Sequence, residues 1–182
     1  MIKYAFILFL IFTSATASTS FKKNIIQNLK NTNNVTFNFE QNINNKIENG
    51  TCIIQYPQKI FCKYDLDNQK ILVSNGKSLV IKTITSFYLY PLDRTPLNFI
   101  LDKNFLINKI PNLNERIISE KFVSYKFLKD ENEINIFFDK KNFNLVGWQT
   151  LDIYQNLTIT HLNSIMKNQE IKEDLFELPK QN

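Results

Sequence analysis

From Val35 onward the chain alternates apolar and polar side chains with a period of two, in short runs broken by turn residues. Val35, Phe37 and Phe39 fall on one face and Thr36, Asn38 and Glu40 on the other, the signature of a half-buried strand. The same pattern recurs over 51–56, 59–64, 70–74, 78–83 and 87–90, and again over 121–129, 133–139, 143–152 and 157–163. Pro57 marks one turn and Asn75-Gly76 another, the latter a strong hairpin signal. Phe21, Ile25 and Leu29 recur at four-residue spacing and predict an amphipathic helix over about 20–30, with Ser18-Thr19-Ser20 supplying capping hydroxyls. Thr95-Pro96-Leu97 reads as a second helix start, with threonine at the cap and proline in the first turn. Residues 103–114 read as a poorly patterned insert. These elements predict a mainly β chain with some α: one strongly curved antiparallel sheet of roughly nine strands, with helices packed on one face. Several strands are apolar on both faces, as Cys52, Ile54 and Tyr56 are against Ile53, which predicts a sheet buried on both sides or lining a cavity.

The first 17 residues differ from the rest. They hold every alanine of the chain, with Lys3, an apolar run from Tyr4 to Phe12, and Ala15-Thr16-Ala17. That order describes a cleavable secretory signal over 1–17, and the apolar run is shorter than the roughly 20 residues that span a bilayer. The alternatives are an uncleaved anchor or a buried helix. Position 18 is Ser, so the site lacks the cysteine that a lipid anchor requires. The expectation is a freely diffusing single domain over 18–182, working outside the cytoplasm.

Charge and chemistry exclude more than they assign. Without Lys3, 21 basic residues face 17 acidic ones, a charge of about +4. The lysines are scattered among acids and asparagines, so the basicity is no nucleic-acid footprint. His161 is the only histidine, on a strand face with Leu157 and Ile159, where it reads as structural. Zinc-protease, clustered-cysteine and phosphate-loop motifs are all missing from the sequence. Nothing marks a pair of catalytic carboxylates, and Asp130, Glu131 and Glu133 read as a solvated turn. The N-x-T triplets at Asn34, Asn49 and Asn156 are expected by chance in so asparagine-rich a chain. The expectation is no catalytic residue, no metal and no cofactor.

Cys52 and Cys62 sit symmetrically about Pro57. A three-residue loop at 56–58 would set them directly opposite, within disulfide reach, whereas a two-residue loop would offset them. A disulfide and a pair of buried thiols both remain open.

The order of several segments resembles the LolA family, periplasmic carriers of outer-membrane lipoproteins. The resemblance runs from about Phe37 to Phe176. It rests on Phe39-Glu40-Gln41, on 50–64 with Pro57 at the turn, on 71–79, and on Tyr90-Pro91-Leu92 leading into Thr95-Pro96-Leu97. Phe137-Phe138-Asp139, Leu145-Val146-Gly147-Trp148, Asp152 and Thr158 complete it. The resemblance implies an incomplete β-barrel whose concave face is closed by helices, and a non-catalytic activity. Such a carrier takes acylated lipoproteins from an inner-membrane ABC exporter and passes them to an outer-membrane acceptor, LolB or its equivalent, as a monomer in the periplasm.

On this resemblance the expected lipid cavity comprises Phe37, Phe39, Ile54, Ile60, Leu79 and Ile81, under a lid of Thr95, Pro96, Leu97, Ile100 and Leu101. Ordinary core packing is the competing reading for each. Many relatives have an arginine before the turn proline that bonds the lid, and here Tyr56 precedes Pro57. A tyrosine cannot reproduce an arginine fork, so lid control is expected to differ. Cys52 and Cys62 stand where larger apolar side chains often line the cavity. The competing functions are a related half-barrel carrier of another hydrophobic ligand, an interaction module with a packed core, or an extracytoplasmic hydrolase. The lipid-anchored acceptor itself is disfavoured by Ser18.

Overall fold

The computed structural model describes residues 18–129, 132–151 and 155–181. The expected signal, and Asp130, Glu131 and Asp152, lie outside the described residues.

A helix, α1 (Ser18–Lys30), leads into six strands: β1 (Asn34–Ile43), β2 (Lys46–Gln55), β3 (Lys59–Tyr64), β4 (Ile71–Asn75), β5 (Ser78–Lys82) and β6 (Phe87–Pro91). Two short helices, α2 (Leu97–Ile100) and α3 (Lys103–Lys109), interrupt them. Five strands follow: β7 (Glu115–Ile117), β8 (Phe122–Lys129), β9 (Asn132–Asp139), β10 (Leu145–Leu151) and β11 (Leu157–Lys167). They form one sheet in the order β6-β5-β4-β3-β2-β1-β11-β10-β9-β8-β7, in which every pair is antiparallel. Two meanders thus meet at β1 and β11, and β6 and β7 are the edges, so the barrel is incomplete.

Side-chain alternation follows the strand period. Val35, Phe37 and Phe39 are buried, and their register partners Ile54, Cys52 and Gly50 share that inner face. Gly50 is required there: a Cβ would lie 2.8 Å from the Phe39 ring and 2.2 Å from the Lys63 carbonyl. The hairpin signal at Asn75 turns through Gly76 at φ +95°, while the Asn75 carboxamide oxygen accepts from the Lys77 and Ser78 N–H groups. The 103–114 stretch is not an unpatterned insert. Asp102 caps α3 by accepting from the Asn104 and Phe105 N–H groups, both at 3.0 Å, and Leu106 and Ile110 are fully buried. Among the described residues the sheet has eleven strands against the roughly nine expected, and one of them, β7, has only three residues and is too short to show a period.

α1 lies over one end of the inner face, with Ile25 and Leu29 buried. The Asn28 carboxamide donates to the Phe143 carbonyl at 2.7 Å, and the Lys22 ammonium to the Leu113 carbonyl at 2.6 Å. On the opposite face, the 3-10 turn Glu173–Phe176 packs against β3 and β4, and Lys82 donates to the Lys180 carbonyl at 2.8 Å. The tail therefore covers part of the outer face, where Val73 and Val80 are buried. This is why these strands read as apolar on both sides.

Candidate functional site

The inner face and the segment around α2 enclose a half-open cavity of about 420 Å³. Four of the six residues expected to line it do so: Phe39, Ile60, Leu79 and Ile81. Phe37 and Ile54 share the inner face but lie nearer α1, bordering a small crevice with Leu29 and Leu162. Phe37 meets Trp148 edge-on at 6.4 Å between ring centroids, so it supports the wall from behind. Among the lid residues, Thr95, Pro96 and Leu97 face the cavity. Ile100 and Leu101 are fully buried in the core and anchor the segment instead.

Thr95 does not cap α2 with its side chain. Its hydroxyl donates back to the Leu92 carbonyl at 2.8 Å, closing the turn that precedes the helix. The loop at 56–58 has three residues, and Cys52 and Cys62 are direct register partners joined by a disulfide, with Cα atoms 4.1 Å apart. Both half-cystines lie on the cavity wall.

The contact between this turn and the α2 segment comes from Gln58. Its backbone N–H donates to the Leu101 carbonyl at 2.9 Å and its carboxamide to Asn98 Oδ1 at 2.6 Å. The Gln58 carbonyl accepts from the Ser74 hydroxyl at 3.0 Å, which ties the turn to β4. Tyr56 points elsewhere: it borders the crevice beneath α1, with the Lys103 ammonium 5.9 Å from its ring centroid. The hydrogen bonds between this turn and the α2 segment therefore come from the residue after Pro57 and not from the one before it.

Sequence reasoning missed Tyr64, Lys70, Leu72, Trp148 and a set of hydroxyls, all on the cavity wall. For most, the missing signal was register: once Phe39 is known to face inward, its partners across the sheet do too. At the end away from α2, the Tyr64 hydroxyl donates to Gln41 Oε1 at 3.2 Å, and Gln41 donates to the Thr160 hydroxyl at 3.0 Å. Burial, reinforced by the nearby Glu48 charge, holds the Tyr64 hydroxyl above its usual pKa, so it stays a proton donor. Glu48, the register partner of Gln41 and on the same inner face as Gly50 and Cys52, is buried and bonds Lys70 and, at 2.9 Å, Lys46. Desolvation works against its charge, but the two ammoniums outweigh it and hold its pKa below the usual carboxylate value.

His161, the one histidine, is exposed on the outer face and stacks on Phe137 at 6.4 Å between centroids. Among the described residues the cavity lining holds no Asp, Glu or His, and the two cysteines are oxidised. Among the described residues, no group of three or more His, Cys, Asp or Glu could hold a metal ion. No helix among them is long and apolar enough to cross a membrane. What this arrangement can do is cover apolar chains.

Comparison with known proteins agrees with the geometry. Residues 30–179 match the family model described as outer membrane lipoprotein carrier protein LolA. No curated protein matches the sequence. An uncharacterized conserved protein from Thermus thermophilus shares the fold at 7% identity and a TM-score of 0.51, over 91% of this chain and 96% of that one. MucB does so at 10% identity and a TM-score of 0.51, over 91% of this chain and 64% of its own. A LolA superfamily protein from Nitrosomonas europaea aligns at 6% identity and a TM-score of 0.45, over 90% of this chain and 99% of that one.

Proposed function

Because the chain belongs to the LolA family, we propose that it is a periplasmic lipoprotein carrier. Residues 18–182, freed of their signal, take acylated lipoproteins released from the inner membrane by an ABC exporter. They cover the acyl chains and deliver the cargo to an outer-membrane acceptor, LolB or its equivalent, without making or breaking a bond. The observation that carries this reading is the apolar, half-open cavity flanked by Thr95, Pro96 and Leu97. An acyl chain of about 16 carbons resists water by roughly 12 kcal/mol, at about 0.8 kcal/mol per methylene. Cargo with several chains therefore needs cover in transit, and a lid that moves allows release. Phe39, Ile60, Leu79 and Ile81 serve as the cavity wall in this scheme, with Phe37 and Ile54 as its packed support.

The test is release. Inner membranes loaded with acylated lipoprotein are incubated with ATP and the mature protein. A soluble one-to-one complex is the expected product. Failure to recover it, with exporter and acceptor shown to be competent, would overturn the reading.

A further inference from the structure

One residue brings a charge to the cavity wall. Lys70 is the only charged side chain among the described residues that line it. It stands immediately before β4, whose far end turns at Gly76 beside Gln58 and the α2 segment. Lys70 is therefore at the end of the cavity away from Leu97, and Thr83, Ser86 and Thr158 bring hydroxyls to that same end. The cation thus stands among hydroxyls at one end of the cavity, where Ile43 and Leu151 also line the wall.

The cation is built in. Its side chain is 18% exposed, with the ammonium 4.0 Å from the Tyr64 ring centroid and bonded to Glu48 Oε2. Glu48 shares the inner face with Gly50 and Cys52 but is buried outside the cavity lining, and it shares its carboxylate with Lys46. Two ammoniums therefore hold one carboxylate, and the cluster keeps a net positive charge. Amide- and ester-linked acyl chains carry no charge at their heads and offer this cation no anion.

We propose that the Lys70 end of the cavity binds an oxyanion, carboxylate or phosphate, at the head of a single acyl chain whose tail runs towards Leu97. The protein is then also a receptor for free anionic amphiphiles such as fatty acids or lysophospholipids. This rests on the cavity's being an acyl site, and the experiment separates the two claims.

Trp148 is the only tryptophan and lies on the cavity wall, so a nitroxide-labelled acyl chain that enters quenches its emission. Three probes are titrated: nitroxide-labelled stearic acid, its methyl ester, and a nitroxide-labelled lysophosphatidylglycerol. The expected result is an anionic probe binding about tenfold more tightly than the ester, the worth of one charged hydrogen bond. Preference for the acid alone or the lysolipid alone supports the proposal and identifies the head as carboxylate or phosphate. Lys70→Met erases the preference and keeps ester binding, Lys70→Arg retains it, and Glu48→Gln enlarges it by removing the competing carboxylate. Equal affinity of all three probes for the native protein overturns the proposal and leaves the acyl site standing. So does a Lys70→Met variant that weakens ester and anions alike while Glu48→Gln changes nothing. Absence of quenching by every probe overturns both.

Discussion

The backbone N–H of Gln58 donates to the Leu101 carbonyl at 2.9 Å, which fastens the turn between β2 and β3 to the end of α2. The Gln58 carboxamide repeats the connection through Asn98 at 2.6 Å. One turn thus holds the α2 segment at two points.

Breaking the second point should loosen the lid without unfolding the sheet. Gln58→Ala and Asn98→Ala each remove one hydrogen bond between neutral groups, worth about 1 kcal/mol. Because both remove the same bond, the double variant should cost little more than either single one. Hydrogen exchange of the amides in 95–101 measures this, with several-fold faster exchange expected in all three variants.

The disulfide closes a short segment, with Cys52 and Cys62 only 10 positions apart. Replacing both by serine should lower stability by about 2–3 kcal/mol while the pairing of β2 with β3 survives. Thermal unfolding of native, reduced and double-serine protein should give one high and two matching lower midpoints.

Gly50 should not tolerate a methyl group. The Cβ of Gly50→Ala would sit 2.2 Å from a backbone carbonyl and 2.8 Å from the Phe39 ring, and the carbonyl cannot step aside. Overpacking of this kind costs roughly 1–3 kcal/mol, and the displaced ring lies on the cavity wall. Denaturant unfolding, together with quenching of Trp148 by an apolar probe, would report both effects.

Glu48 gives the protein a sensitivity to acid. Its folded pKa lies below the ordinary carboxylate value of 4.5, because Lys70 and Lys46 outweigh the opposing desolvation. The stability it contributes is therefore full above that ordinary value and is lost as pH falls through the lower folded one. Stability measured against pH should fall less steeply in Glu48→Gln than in the native chain over that acidic window.

The strands were legible in the sequence because alternation is local, and the turn at Asn75-Gly76 because glycine tolerates its positive φ. The inner face became legible only through register, since Phe39 shows that its strand has a buried side but not which side is concave. Phe37 and Ile54 do face inward, but alternation carries no sign of where along the strands α1 folds back and covers that face. α3 had a readable cap in Asp102, but its seven residues are too few for a helical period to stand out. The Gln58 bonds to Asn98 and Leu101 span some forty residues, and no local pattern announces such a bond.

The edges at β6 and β7 set a mechanical property of the molecule. A closed barrel has its girth fixed by the number and tilt of its strands, so widening it means tearing a ladder. A sheet with an unsewn seam widens by a change in twist and coil spread over all its strands, each ladder remaining whole. For the carrier proposed above, cargo of different bulk would be accommodated by bending a spring rather than by breaking a ring.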